Sequence, residues 1–436
     1  MRSGQKFRLT VYVLMIALAF LSSAFGAGAQ ERGSVVVLTF KGVVTPVLQN
    51  YLERGIARAE AIGAEALVLE LDTPGGNVGT TQEIVQIMVA SSVPVIVYVA
   101  PQGAHASSAG TLITLAGHLA GMAPGTTIGA ASPVGSAGEE LPETLRAKVT
   151  NTLVKDAQNL ARRRGEKAVE WAGKAVSEAV AATADEALAL GVVDAVAPTL
   201  RDLLRQLDGK EVEVAGELRT LRLADAPLTR VPLSSIETLL NVIVNPSIAA
   251  ILLTIGAQAL LIELSSPGGY IAGVIGVICL LLAFYALGAL EANWIGLGFI
   301  ALAFVLFFLD IKSPTPGLLL FLGLISFVAG AAILFSTPTA NVPWPTIIGL
   351  ALATAGFFAF AIAKVLQAHQ RPAATGGEGL MGAVGTARTD LNPTGDILVQ
   401  GERWQAEAQG EAVKEGERVV VVGREGFRLK VRRWQG

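Results

Sequence analysis

The stretch Ala66-Leu67-Val68-Leu69-Glu70-Leu71-Asp72-Thr73-Pro74-Gly75-Gly76 decides the fold. Residues 66–71 are apolar at all but one position, which suits a strand covered on both faces in the middle of a sheet. The turn that follows breaks it at once, because proline fixes its own φ and two glycines accept backbone angles closed to side chains. Outward from this stretch the same alternation repeats. Residues 35–40 are a run rich in β-branched side chains, 45–62 have helical spacing with Pro46 in the first turn, 78–90 are helical, and 95–99 are again strand. Strand, helix, strand, helix over residues 34–197 predicts an α/β layer structure. A polar-alternating piece at 212–223 is expected to close this domain as a hairpin.

The remainder is of a different kind. With 436 residues, a 52% hydrophobic share and only 16% charged residues, the chain is too apolar for an ordinary soluble protein. The net charge of −3, with no basic stripe, gives no reason to expect nucleic acid as a partner. The single cysteine, Cys279, lies in an apolar run and excludes both an intramolecular disulfide framework and a Cys-based zinc cluster. At the start, Arg2, Lys6 and Arg8 precede an apolar run at 11–25 and then Ala27-Gly28-Ala29, the pattern of a secretory signal peptide over residues 1–29. The other reading of this stretch is an uncleaved anchor. Either exports a domain spanning residues 30–230.

Residues 231–368 read as a membrane domain of about five transmembrane helices, near 248–264, 271–290, 294–309, 318–335 and 346–366. Residues 233–244 are amphipathic and are expected at the membrane interface. Lysine, arginine and histidine placement favours an extracytoplasmic N-terminal domain, Glu291 outside, and a cytoplasmic tail. Glu263, Ser266, Pro267 and Gly276 find Asp310, Ser313, Pro314 and Gly323 at one constant offset, which suggests a duplicated helical hairpin. After a Pro/Ala/Thr/Gly linker at 371–377, residues 378–436 hold five short strand patterns (382–387, 396–400, 402–409, 418–423 and 428–433), suited to an OB-type barrel. Its glutamates offset its basic residues, so a protein-contact module is expected.

The exported domain holds candidate chemistry. In His105-Ala106-Ser107-Ser108-Ala109-Gly110 the hydroxyl of Ser108 falls between a small-residue loop and the apolar run 111–116, where a loop-to-helix turn favours developing negative charge. Taken alone, such a serine is a helix cap. The Gly75-Gly76 turn offers backbone N–H groups for an oxyanion and comes one strand-helix-strand unit earlier, on the same edge of a parallel sheet. The histidines are poor bases for Ser108: His369 is across the membrane, His118 is about 15 Å along the helix at 1.5 Å per residue, and His105 precedes the turn. Lys148 and Lys155, both within the helical pattern at 142–164, are the lysine candidates, and spacing does not choose between them.

Taken in order, Leu71-Asp72-Thr73-Pro74-Gly75-Gly76, Pro101-x-Gly103-x-x-Ala106-x-Ser108-Ala109-Gly110, Met122-Ala123-Pro124-Gly125-Thr126, Lys148-x-Thr150-Asn151 and Gly191-Val192-Val193-Asp194 resemble the long form of the NfeD family. These are membrane-bound serine proteases of the Clp-protease/signal-peptide-peptidase class with a C-terminal OB domain. The resemblance implies a Clp/crotonase-like α/β fold, Ser108 as nucleophile, Lys148 as general base, and the backbone of Gly76, with Gly75 beside it, and of Ala109 as oxyanion donors. Where Clp-type enzymes carry a histidine this chain has Ala131, in keeping with a Ser/Lys dyad. The implied partners are a hydrophobic peptide, a stomatin-like membrane protein, the lipid bilayer and further copies of the chain, as a dimer or higher homo-oligomer. No metal or other cofactor is expected. Two other readings stand beside it: a crotonase-type acyl-CoA enzyme, which the export signal disfavours, and a catalytically idle membrane scaffold that recruits stomatin-like partners.

Overall fold

The computed structural model describes residues 33–133, 143–265, 268–290, 292–312, 317–337, 340–369 and 379–435. The expected signal peptide, the segment 134–142, the linker 371–377, Glu291 and the Ser-Pro pairs of the repeat lie outside the described residues. The chain divides near residue 355 into two compact units.

The N-terminal domain runs β1 (Val35–Lys41), α1 (Pro46–Ile62), β2 (Ala66–Asp72), α2 (Val78–Ala90), β3 (Val95–Val99), β4 (His105–Ser107), α3 (Ala109–Ala116), β5 (Leu119–Met122), β6 (Thr127–Gly129), α4 (Glu143–Ala161) and α5 (Glu166–Ser177). It continues through β7 (Ala181–Thr183), α6 (Ala184–Ala189), β8 (Ala195–Val196), α7 (Leu200–Leu207), β9 (Glu211–Val214), β10 (Glu217–Thr220) and β11 (Leu228–Arg230). The main sheet is parallel throughout, in the order β11-β1-β2-β3-β5-β8. Its central strands are apolar on both sides because both sides are covered. Val36, Leu38 and Phe40 of β1 join the core under α1, α2 and α3, whereas Val35 and Val37 join the one under α7.

Two features differ from the sequence reading. The expected hairpin forms as β9–β10 but makes a separate two-stranded sheet, and the edge of the main sheet is closed instead by β11 pairing in parallel with β1. The small-residue loop before Ser108 contains a strand, β4, which pairs with β6 and through it with β7 in a second sheet. Strands β3 and β5 are thus each followed by a short strand and then a helix: β3, β4, α3 and again β5, β6, α4. This spiral of strand, strand and helix is the Clp/crotonase-like arrangement, and three-residue strands made of Ala, Ser, Thr and Gly carry too little apolar periodicity to be read directly.

Beyond Pro232 follow α8 (Ser235–Ile243), α9 (Pro246–Ser265), α10 (Ile271–Ala289), α11 (Trp294–Lys312), α12 (Leu318–Leu334), a small antiparallel pair β12 (Ser336–Thr337) and β13 (Ala340–Asn341), and α13 (Trp344–His369). All five apolar stretches are helical, and four of them are long and apolar enough to cross a membrane. The fifth, α12, has 17 residues, about 25 Å of helix against a hydrocarbon core of about 30 Å. The hairpins α9–α10 and α11–α12 make equivalent contacts. A Cβ on Gly276 would lie 3.0 Å from Gly256 O, and one on Gly323 would lie 3.2 Å from Ala303 O, so in both pairs the backbones approach closely where the side chain is missing. The Glu263 carboxylate accepts the N–H groups of Tyr270 (3.1 Å) and Gly273 (3.3 Å), and that of Asp310 accepts those of Gly317 (2.9 Å) and Leu319 (3.1 Å). In each hairpin the acid ending one helix satisfies the first free donors of the next.

The C-terminal domain is a closed barrel of β14 (Val384–Ala387), β15 (Thr394–Val399), β16 (Glu402–Ala408), β17 (Arg418–Glu425) and β18 (Arg428–Arg433), in the order β14-β15-β16-β18-β17. Only β16 and β18 pair in parallel, the five-stranded OB topology. Alternate residues Ile397, Val399, Val419, Val421, Leu429 and Val431 fill it.

Asp310 is 1% exposed. Replacing it by Ala orphans two backbone donors, and a loss of roughly 1–3 kcal/mol is expected, read as a lower unfolding temperature of the detergent-solubilised protein; an unchanged value would count against the capping role.

Candidate active site

Ser108 joins β4 to α3 with φ 52° and ψ −114°. A residue with a Cβ rarely adopts such angles, and holding one there costs on the order of 1–3 kcal/mol. The side chain does not repay that cost as a cap, because Ser108 makes no side-chain cap bond to α3. Among the described residues the hydroxyl has no hydrogen-bond partner, and it stands at a sharp strand-to-helix turn of the type that presents nucleophiles.

The neighbours that impose the turn come from three elements. The Ser108 N–H donates to Gly129 O at 2.9 Å. The buried Thr111 hydroxyl lies 2.9 Å from Ala106 O and 3.0 Å from Gly129 O, and it accepts the Gly129 N–H at 3.0 Å. The Thr73 N–H donates to His105 O (2.7 Å) and the Ser107 N–H to Thr73 O (3.1 Å), so the Asp72–Gly76 turn is bonded to the strand that ends at the elbow. A Cβ on Gly110 would stand 2.7 Å from Thr73 Cγ2, so the first turn of α3 fits against Thr73 only without one.

The glycine turn is held from its other side by the β1–α1 loop. The Val44 N–H donates to Gly75 O (2.8 Å) and the Asn77 N–H to Val44 O (3.1 Å). A Cβ on Gly76 would come 2.2 Å from Val44 O, which no side chain tolerates. The Gly75 N–H is taken by Thr73 Oγ1 at 3.1 Å. Those of Gly76 and Ala109 have no hydrogen-bond partner among the described residues.

Lys148 is placed differently. It lies in the first half of α4, where every residue from Glu143 to Lys148 is exposed and the first buried one is Leu153. Among the described residues its ammonium has no hydrogen bond or ion pair, and no hydrogen bond links it to Ser108. Lys155 is also exposed and contacts Gln158 at 3.3 Å. His105 Nδ1 pairs with Thr127 Oγ1 at 2.8 Å on the surface. His118 is buried just beyond α3, and its Nδ1 accepts the Val95 N–H at 3.0 Å, so that nitrogen carries no proton. Burial, and then the charges of Arg163 and Arg164, lower its pKa to about 4.

The sequence reading passed over those two arginines and Thr111. The Arg163 guanidinium reaches Leu115 O (2.9 Å), Ala116 O and Gly117 O (both 2.6 Å), and Arg164 reaches Gly117 O (2.9 Å) and Asp194 (2.7 Å). They satisfy the end carbonyls of the helix whose start is Ala109, with charge of the sign a helix C-terminus favours. Burial and the neighbouring Arg164 bring the Arg163 pKa down to about 10, which leaves it charged at neutral pH. In sequence the pair looks like part of a solvated basic run, Arg162-Arg163-Arg164. A groove of about 550 Å³ lies between α2 and α4, lined by Val85, Val89, Leu153 and Leu160, with Leu112 of α3 one turn beyond Ser108.

An uncommitted serine on a spiral of this kind, joined to a bundle of apolar helices, defines a multi-pass membrane protein of the Clp-protease-like class. Residues 34–216 match the model of the NfeD1b N-terminal domain, 247–364 that of the NfeD integral membrane domain, and 377–433 that of the NfeD-like C-terminal, partner-binding domain. The membrane-bound protease PH1510 of Pyrococcus horikoshii is 35% identical over 97% of both chains, and the membrane protein NfeD1b of Bacillus subtilis is 28% identical over 95% of this chain and 96% of its own. The chain belongs to the NfeD family. Among solved structures, the 1510-N membrane protease specific for a stomatin homolog from Pyrococcus horikoshii is 34% identical, covering 48% of this chain and 97% of its own, with a TM-score of 0.42.

If Ser108 is strained, Ser108→Gly is expected to unfold at a higher temperature than Ser108→Ala, by roughly 1 kcal/mol; equal stabilities would show an unstrained turn. His118 gives a pH test. Its folded pKa lies below the unfolded value of about 6.5, so its contribution is complete above that pH and is lost as the pH falls toward 4, in total about 3 kcal/mol. Thermal unfolding across that window should show the slope in the wild type, and His118→Gln should flatten it.

Proposed function

We propose that this protein is a membrane-anchored serine endopeptidase that cuts apolar peptide segments, with Ser108 as nucleophile and Lys148 as general base. The observation that carries the reading is the elbow: a Ser108 hydroxyl that makes no cap bond, at a turn joined through Thr73 to the loop of Gly76, where the N–H groups of Gly76 and Ala109 have no hydrogen-bond partner among the described residues. Neutral Lys148 takes the Ser108 proton, the alkoxide attacks the peptide carbonyl, and the oxyanion rests on those two donors, with Gly75 shaping the turn. Lys148 then protonates the leaving amine, and water releases the acyl group.

The exposed first half of α4 bears on how the base is assembled. A general base must stand beside the hydroxyl it deprotonates, and no hydrogen bond joins Lys148 to Ser108 among the described residues, so Lys148 needs to be brought in and covered before it can act. In this reading the bound substrate or a second copy of the chain supplies that cover, and the lysine acts only in the closed, homo-oligomeric complex. The groove between α2 and α4 favours an apolar substrate. The protease relative specific for a stomatin homolog supports a stomatin-like membrane protein as target, with the C-terminal barrel, kin to partner-binding domains, as the contact. The proposed topology is five spans, with the N-terminal domain outside the cytoplasm and the barrel inside. The exposure of Lys148 also suits the second reading, an idle scaffold for such partners, and the same assay separates them.

The full chain in lipid nanodiscs should cleave a fluorogenic apolar peptide. Ser108→Ala and Lys148→Ala should each lower the rate by roughly a thousandfold or more. Cleavage by Ser108→Ala at the wild-type rate would sink the enzyme reading in favour of the scaffold. Loss with Ser108→Ala but not with Lys148→Ala would move the base elsewhere.

A further inference from the structure

Helix α8 joins the N-terminal domain to the first membrane helix, and its side chains are arranged against the usual rule for a surface helix. Its one charged residue, Glu237, is turned toward protein. It accepts from Arg54 Nε at 3.0 Å and Nη2 at 2.5 Å on α1, and it also closes a capping box with Ser234. Leu240 packs on the core beneath α1, together with Val231 and Leu233 of the preceding segment, and the Tyr51 hydroxyl donates to Val231 O at 2.5 Å. The opposite arc holds Ser235, Ile236, Thr238, Leu239 and Val242, none of them charged. Ile236, Leu239 and Val242 are 71%, 55% and 52% exposed, a large apolar outlay for nine residues of helix.

What covers this face follows from where the helix ends. Val244 and Asn245 alone separate it from α9, the first of the candidate spans, and the match to an NfeD integral membrane domain begins at residue 247. Because the hairpins are antiparallel, α11 and α13 begin at the same end of the bundle, and they open on Trp294 and Trp344, 78% and 60% exposed. Tryptophan at the helix starts marks the level of the lipid headgroups, and α8 lies at that level. We propose that α8 is a membrane-surface helix, seated with its Ile236, Leu239 and Val242 face in the headgroup and upper acyl region of the bilayer while Glu237 and Leu240 hold the N-terminal domain against it. An uncharged apolar arc next to a spanning helix fits phospholipid; a soluble partner would have to reach it at the membrane surface.

The seat is close to the candidate site. A Cβ on Gly42 would lie 3.4 Å from Asn241 Oδ1 of α8, and two residues on, Val44 makes the bonds that hold Gly75 and Gly76. One short loop, residues 42–44, thus links the α8 seat to the Gly76 turn.

The full chain, with its sole cysteine Cys279 replaced by Ala, is reconstituted in phosphatidylcholine/phosphatidylglycerol vesicles. An NBD label is placed at Ile236→Cys, Leu239→Cys or Val242→Cys, with Leu218→Cys on the exposed β9–β10 hairpin as control. All four sites are exposed, and unchanged elution and unfolding temperature verify folding. The three α8 labels should emit at shorter wavelength than Leu218→Cys and be quenched roughly twofold or more by lipids bearing a nitroxide near the headgroup, less by lipids with a deep nitroxide, and little by aqueous iodide. Iodide quenching equal to that of the control would overturn the proposal. So would labels shielded from iodide and nitroxide lipids alike, which would mean that protein covers this face.

Discussion

Gly76 sits where a Cβ would meet the Val44 carbonyl, and much of the N-terminal domain depends on that contact. It lets the turn after β2 be bonded on one side to the β1–α1 loop and on the other, through Thr73, to β4. Without it the second layer of short pairings could not begin, and Ser108 would have no strand to leave from. The left-handed angles at Ser108 are then a consequence. The chain must turn from β4 into α3 within one residue, because Gly129 and Thr111 fix the backbone on both sides of it.

The long elements were legible because each buries a face with a clear period. The strands at 35–41, 66–72 and 95–99 are apolar on both sides, and the barrel strands alternate. The five apolar helices are visible from hydropathy alone. What escaped was short or relational. Strands β4 and β6 have three residues each and exist only because they find one another. Thr111 reads as one more small residue of an apolar helix, although its hydroxyl ties the elbow to β6. Of the candidate site, the serine and the glycine turn are adjacent through bonds that run along two parallel strands, a proximity the order of elements implied. Lys148 is a matter of tertiary reach: its helix was evident, but nothing in a run of exposed residues tells where that helix will point.

The membrane half solves a different problem with similar means. Helices in lipid gain little from pressing apolar surfaces together, so close approach at Gly256 and Gly276, and at Ala303 and Gly323, replaces the hydrophobic drive. The turns between them are closed by Glu263 and Asp310, acids that serve the free N–H groups of the following helix. Their appearance at one constant offset accords with a duplicated hairpin in which the acid belongs to the folding unit.

The arginine pair at the end of α4 has a mechanical consequence. Arg163 and Arg164 grip the carbonyls closing α3, the helix that begins at Ala109, and so they pin the far end of α4 to the segment carrying the serine. At its near end Glu143 to Lys148 are exposed, and Val149 is the first residue to pack on the core. The helix is also held at Leu153, Ala157 and Ala161, so Lys148 stands about 7–8 Å beyond the last buried anchor. From that anchor a bend of roughly 10° moves the Lys148 backbone by about 1 Å, while the strained turn stays where Gly129 and Thr111 hold it.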